Sequence, residues 1–115
     1  MAEEKKLPFE LQEGEEVLRE FASDYWEKFL FMYSQKRGRY YMTNRRVIFV
    51  YFGDVMLDLP YAEMESAVLC NVGALIKFVP TGIKVTMKDG NTYDLSVVKR
   101  KEIHEIIMIN MQNAQ

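Results

Sequence analysis

Gly38-Arg39-Tyr40-Tyr41-Met42-Thr43-Asn44-Arg45-Arg46-Val47-Ile48-Phe49 reads as strand, tight turn, strand. Residues 40–43 and 46–52 are rich in aromatic and β-branched side chains, which favour a pleated surface. Asn44-Arg45 between them forms the turn, because asparagine tolerates a positive φ. Working outward, residues 36–39 (Lys-Arg-Gly-Arg) read as the preceding turn. Before it, residues 16–26 form a strand with Phe21, Ser23 and Tyr25 on one face. Residues 29–34 either extend that strand or start another. After residue 52, Gly53-Asp54 turns the chain, and a short strand over 55–59 stops at Pro60. A further strand covers 64–72.

The hairpin around residue 89 fixes its own register. Ile83, Val85 and Met87 alternate before the turn, and Tyr93, Leu95 and Val97 after it. Opposed residues share a face, so their numbers must sum to a constant even value. A two-residue Asp89-Gly90 loop gives an odd sum and sets Val85 against Asp94. A three-residue loop, Lys88-Asp89-Gly90, pairs Met87 with Asn91, Val85 with Tyr93 and Ile83 with Leu95. That loop is a type I turn closed by Gly90 in the left-handed region.

Residues 99–111 carry Ile103, Ile106, Ile107 and Met111 at helical spacing. Met108 and Ile109 widen the apolar stripe beyond one packing face. Many antiparallel strands followed by one amphipathic helix define the class, and the helix must bury its apolar side on the sheet. Residues 1–11 form a charged arm in which Leu7, Phe9 and Leu11 alternate, and 12–115 form the domain.

The chain has 115 residues, 49% hydrophobic and 28% charged, with a net charge of -2. One domain fits this length, and disorder does not fit this composition. A net acidic chain is not a dedicated nucleic-acid coat. One cysteine excludes an internal disulfide framework. No apolar run approaches the about 20 residues of a membrane-spanning helix, and the sequence predicts no signal peptide. The expected location is the cytoplasm, with room for contact with a membrane from the side.

Nothing in the sequence asks for catalysis. His104 and Cys70 fall on different elements, and lone cysteines behave as small apolar groups. Zinc-ligand spacing, phosphate-binding glycine loops and a nucleophile elbow are all absent. Glu13, Glu15, Glu16, Asp54, Asp58, Glu63 and Glu65 read as solvated charge. The expectation is no catalytic residue, no metal, no cofactor and no small-molecule substrate.

Two kinds of surface are candidates for binding. Lys36, Arg37 and Arg39, then Lys99, Arg100 and Lys101, are either solubilising charge or contacts for phosphate headgroups or an acidic partner. The last three sit at a helix N-terminus, against the macrodipole. The apolar segment 72–79, with Leu75, Ile76 and Phe78, either continues the sheet, forms a dimer contact, or wedges into a bilayer interface. Met108 and Ile109 on the helix raise the same question.

The stretch quoted first resembles the G-x-x-Y-x-T-N-x-R-(hydrophobic)-x-F signature of GRAM domains, members of the pleckstrin-homology-like superfold. Gly14-Glu15-Glu16-Val17 is similar to their opening strand, and Leu59-Pro60-Tyr61 to their proline-aromatic turn. The resemblance spans residues 12–112. It implies seven strands in two near-orthogonal sheets, a partly open barrel capped by the C-terminal helix. It also implies a non-catalytic module that binds proteins or membranes. Lys28, Arg37 and Arg39 match the basic pattern of phosphoinositide-binding relatives in form. Thr43 and Asn44 can satisfy turn backbone groups, and Arg46 can hydrogen-bond carbonyls across a sheet edge, so the motif itself reads as conformational. The function expected is protein interaction or self-association, with an anionic-lipid adaptor as the alternative.

Overall fold

The computed structural model describes residues 7–73, 77 and 79–114. The alternating segments form β1 (Val17–Phe29), β2 (Met32–Thr43), β3 (Arg46–Tyr51), β4 (Asp54–Pro60), β5 (Met64–Val72), β6 (Val79–Met87) and β7 (Thr92–Ser96). A 3-10 turn at Tyr61–Glu63 links β4 to β5, and α1 (Arg100–Asn113) follows β7. The strands lie in the order β4-β3-β2-β1-β7-β6-β5, all neighbours antiparallel. The mostly-β class with one C-terminal helix therefore holds. Hydrogen bonding joins all seven strands in one sheet, where the sequence reading divided them into two. The join is β1, which pairs with β2 along its length and with β7 at Asp24–Trp26.

The sheet curls. Leu57 and Leu59 of β4, one edge, share a core with Met64 and Ala67 of β5, the other edge. Aromatic rings fill its centre: Tyr40 stacks on Phe21 at 5.3 Å and meets Phe49 at 4.8 Å. The buried Tyr40 hydroxyl donates to the Asp24 carbonyl at 2.6 Å, so no polar group is stranded there. The helix lays Ile103, Ile107 and Met111 into the core. It is also tied to β5: Arg100 donates to the Cys70 carbonyl at 3.0 Å, and the His104 ring bonds the Ala67 carbonyl at 2.7 Å. On the opposite face of the sheet, Leu7 and Phe9 of the arm pack on Tyr41, Ile48 and Val50.

The β6–β7 register is the one the alternation demands, with Ile83 opposite Leu95 and Val85 opposite Tyr93. Gly90 closes the loop at φ 92, its amide donating to the Met87 carbonyl at 2.9 Å. The turn expected at residues 36–39 is overturned. Those residues lie inside β2, opposite Tyr25 to Ala22, and the chain reverses instead at Leu30-Phe31. Leu30 takes a left-handed φ of 58, a conformation usually left to glycine or asparagine. Gly38 is present for close approach, not for turning. A Cβ there would run into the Val50 carbonyl oxygen and lie 2.7 Å from the Phe49 ring. Neither is a flexible chain end, so Gly38→Ala should cost about 1–3 kcal/mol. Urea unfolding should show a lower midpoint with an unchanged slope.

Among the described residues no helix is long and apolar enough to cross a membrane.

Candidate functional site

The turn between β2 and β3 is a knot of side chains. Thr43 Oγ1 accepts from the backbone amides of Arg45 and Arg46, each at 2.9 Å, and donates to Glu15 Oε2 at 2.6 Å. Asn44 accepts from the Glu16 amide at 2.9 Å and donates to the Gly14 carbonyl at 3.0 Å. Arg46 grips Glu15 with two donors, at 2.8 and 3.0 Å, and reaches Asp58 at 2.9 Å and the Glu10 carbonyl at 2.8 Å. Its guanidinium lies 5.3 Å from the Phe9 ring. Tyr61, after Pro60, donates its hydroxyl to the Thr43 carbonyl at 2.8 Å. Glu15 is buried, which opposes its charge, yet bonds from Arg46, the Gln12 amide and Thr43 together hold its carboxyl below the ordinary range. Three separated sequence motifs thus meet, and their polar atoms are occupied by one another. This knot holds the arm, β2, β3 and β4 together and offers no ligand site.

The six candidate basic residues do not form one patch. Lys36 points to the core-facing side of the sheet, 5.6 Å over the Tyr51 ring. Arg37 pairs with Asp24 at 3.3 Å, and Arg39 with Glu20 at 2.6 Å. Lys101 is exposed on the helix. Three of the six do meet. Arg37, Lys99 and Arg100 line an open cleft of about 550 Å³ with Asp24, Thr81 and Ser96. The cleft lies where β1 and β7 part and α1 begins. Its wall mixes Val79, Pro80 and Val98 with polar groups that bond one another: the Thr81 and Ser96 hydroxyls at 2.7 Å, and Ser23 donating to the Ser96 carbonyl at 2.6 Å. Lys99 precedes the helix in a left-handed conformation with no side-chain cap. The first backbone N–H groups of α1 thus have no capping side chain, a setting that favours an anion.

The titratable groups elsewhere serve structure. Asp94 is buried and receives Lys77 at 3.1 Å; Lys77 also donates to the Tyr33 hydroxyl at 2.9 Å. Burial, with Asp94 nearby, pushes the Cys70 thiol up, away from the reactive thiolate. His104 is committed to the Ala67 carbonyl. Among the described residues no cluster of three His, Cys, Asp or Glu is placed to hold a metal.

The exposed apolar residues are less expected. Leu30 is 74% exposed and Phe31 81%, at the tip of the β1–β2 hairpin. Phe52, in the β3–β4 turn, is 87% exposed. Composition alone gave no sign of these, because apolar residues are placed inside by default; the signal was a four-residue apolar run, Phe29-Leu30-Phe31-Met32, with no turn residue in it. Met108 and Ile109 are exposed, as the wide helix stripe implied. Leu75, Ile76 and Phe78 lie outside the described residues.

No family model matches the chain, and no curated protein does. Among solved structures it is similar to the C-terminal domain of an unknown protein from Leishmania infantum, at 17% identity, covering 87% of each chain with a TM-score of 0.67. That likeness concerns the fold alone.

Proposed function

We propose that the chain is a non-catalytic binding module, GRAM-like within the pleckstrin-homology-like class, that acts through an exposed apolar surface in protein interaction and self-association. In this reading β1 to β4 and β5 to β7 are the two sheets of that class, joined through β1. The supporting observation is the display of Leu30, Phe31 and Phe52 on two hairpin turns, where water meets them at an energetic cost of about 25 cal/mol per Å². Exposed apolar clusters of this kind mark interaction sites. The paired state of the buried acids argues the same way, since an active site needs perturbed groups in a cleft.

A second reading has its own observation. The cleft of Arg37, Lys99 and Arg100 suits an anionic headgroup. Flotation with phosphatidylserine vesicles separates the two. The chain is expected to stay with the soluble fraction at low and high salt. Flotation at low salt only, abolished by Lys99→Glu, would replace the first reading with the lipid one. Flotation that survives salt and is lost in Phe31→Ser would make the hairpin tip a bilayer wedge.

A further inference from the structure

We propose that the arm from Leu7 to Leu11 occupies, within its own chain, a docking groove for an extended aromatic-bearing segment of a partner protein, and so acts as a built-in competitor; this rests on the protein-interaction reading above. The groove lies on the outer face of β2 and β3. Its floor is Tyr41, Ile48 and Val50, which share no member with the core that holds α1. Phe9 is the anchor. Its ring meets Tyr41 edge-on at 5.4 Å and lies 5.3 Å from the Arg46 guanidinium. One residue on, the Glu10 carbonyl accepts from Arg46 at 2.8 Å. A ring in a slot and a backbone carbonyl on a fixed donor are contacts that an extended segment of another chain can supply equally well.

The arm is held in a way that lets it come away. Residues 7–12 belong to no strand, and among the described residues a single hydrogen bond, the one to Glu10, reaches residues 7–11. The pairings of β2 and β3 do not involve it. The chain then turns at Gln12 to Glu15, where the Glu15 amide donates to the Gln12 carbonyl at 3.0 Å and the Glu15 carboxylate accepts from the Gln12 amide at 2.8 Å. Lifting residues 7–11 leaves that turn in place, together with the grip of Arg46 on Glu15 and Asp58. Only the carbonyl on Arg46 is exchanged. Segments with so few buried contacts are the ones that open locally.

The arm also fills its groove incompletely. An open cleft of about 560 Å³ continues from Leu7 and Pro8 past Tyr41 and Val50 to Phe52. In the sequence Leu7 is preceded by Lys5 and Lys6, whose charges gain nothing from a mostly apolar lining. A partner segment with an apolar residue ahead of its own Leu-Pro-Phe equivalent covers Phe52 as well. That extra burial lets a separate chain compete with a tethered one, which acts at an effective concentration of about millimolar.

The test uses the full chain and fluorescently labelled synthetic peptides, read by anisotropy. The peptide of residues 5–13 should bind the unmodified chain weakly. It should bind the Phe9→Ser chain about ten-fold or more tightly, because the arm no longer holds the site closed. The peptide carrying Lys6→Leu should bind each chain more tightly still, and the peptide carrying Phe9→Ser should bind neither. Leu7→Ser, which keeps the Phe9 anchor, decides the matter if the Phe9→Ser chain loses its cooperative melt; a smaller gain in the same direction is expected there. Equal binding by the unmodified and variant chains would overturn the competitor role, and no binding by any of them would overturn the groove itself. A self-associated mass that is lost in Phe9→Ser would overturn the choice of partner and give the groove to the arm of a second copy. Self-association lost in Phe31→Ser keeps the wider reading standing whatever the peptides do. Without it and without peptide binding, both fall.

Discussion

Arg46→Ala is expected to lower stability by about 3–5 kcal/mol, because it strands the Glu15 carboxylate without its partner. The Glu15 side chain is fully buried, and Arg46 supplies two of its hydrogen bonds. The same change releases Asp58 and the Glu10 carbonyl. Domains of this size have about 5–15 kcal/mol in total, so the variant should be marginal. Arg46→Lys should recover only part of the loss, since an ammonium cannot grip both carboxylate oxygens in the plane of a fork.

The pH response carries a sign that distinguishes this account from lost packing. In the native protein the Glu15 carboxyl is held below its ordinary value, although burial alone would raise it. Its contribution is therefore complete above the unfolded value of about 4.3 and disappears as pH falls through the folded one. In Arg46→Ala the burial remains and the guanidinium is gone, so the folded carboxyl prefers its proton. That contribution then grows as pH falls toward about 4. Urea unfolding across pH 3–7 should show the native protein losing stability on acidification. The variant should gain some over the upper part of that range. Parallel curves would refute the buried-pair account.

The parts of the fold legible in the sequence were those fixed by local arithmetic. The alternation of Ile83, Val85 and Met87 against Tyr93, Leu95 and Val97 admits one face, hence one register, and it is the one observed. Thr43 carries turn chemistry that is local, in its bonds to Arg45 and Arg46, whereas the side chains of Asn44 and Arg46 bond partners far away in sequence. Arg46 was expected to serve carbonyls and instead serves chiefly two carboxylates, because Glu15, just before β1, and Asp58, on β4, are brought near only by the folded sheet. Gly38 misled for a definable reason: glycine marks both turns and close approaches, and the partner that needs the space, Phe49, sits on the next strand. The true turn at Leu30-Phe31 contains no residue that favours turning, so it left no local trace. The cleft uniting Arg37 with Lys99 and Arg100 depends on the β1–β7 pairing, a long-range contact that spacing does not encode.

The sharpest contrast lies on the helix, between two isoleucines two positions apart. Ile107 is 0% exposed and packs in the core, whereas Ile109 is 49% exposed. Ile107→Asp places an unpaired carboxylate among apolar groups. The loss of packing and the cost of burying that charge together exceed about 4 kcal/mol, enough to unfold a domain of ordinary stability. Circular dichroism should show loss of the cooperative melt at neutral pH. Ile109→Asp should change stability by no more than about 0.5 kcal/mol, since both side chains meet water. The pair also tests where copies of the chain meet. With the contact on the exposed hairpin turns, Ile109→Asp leaves the mass of the self-associated form unchanged. A fold intact but a mass halved in that variant would move the contact to the outer face of α1, where Met108 and Ile109 stand exposed. Fold and mass lost together in Ile109→Asp would mean that the helix turns a different face to the core than the one bearing Ile103, Ile107 and Met111.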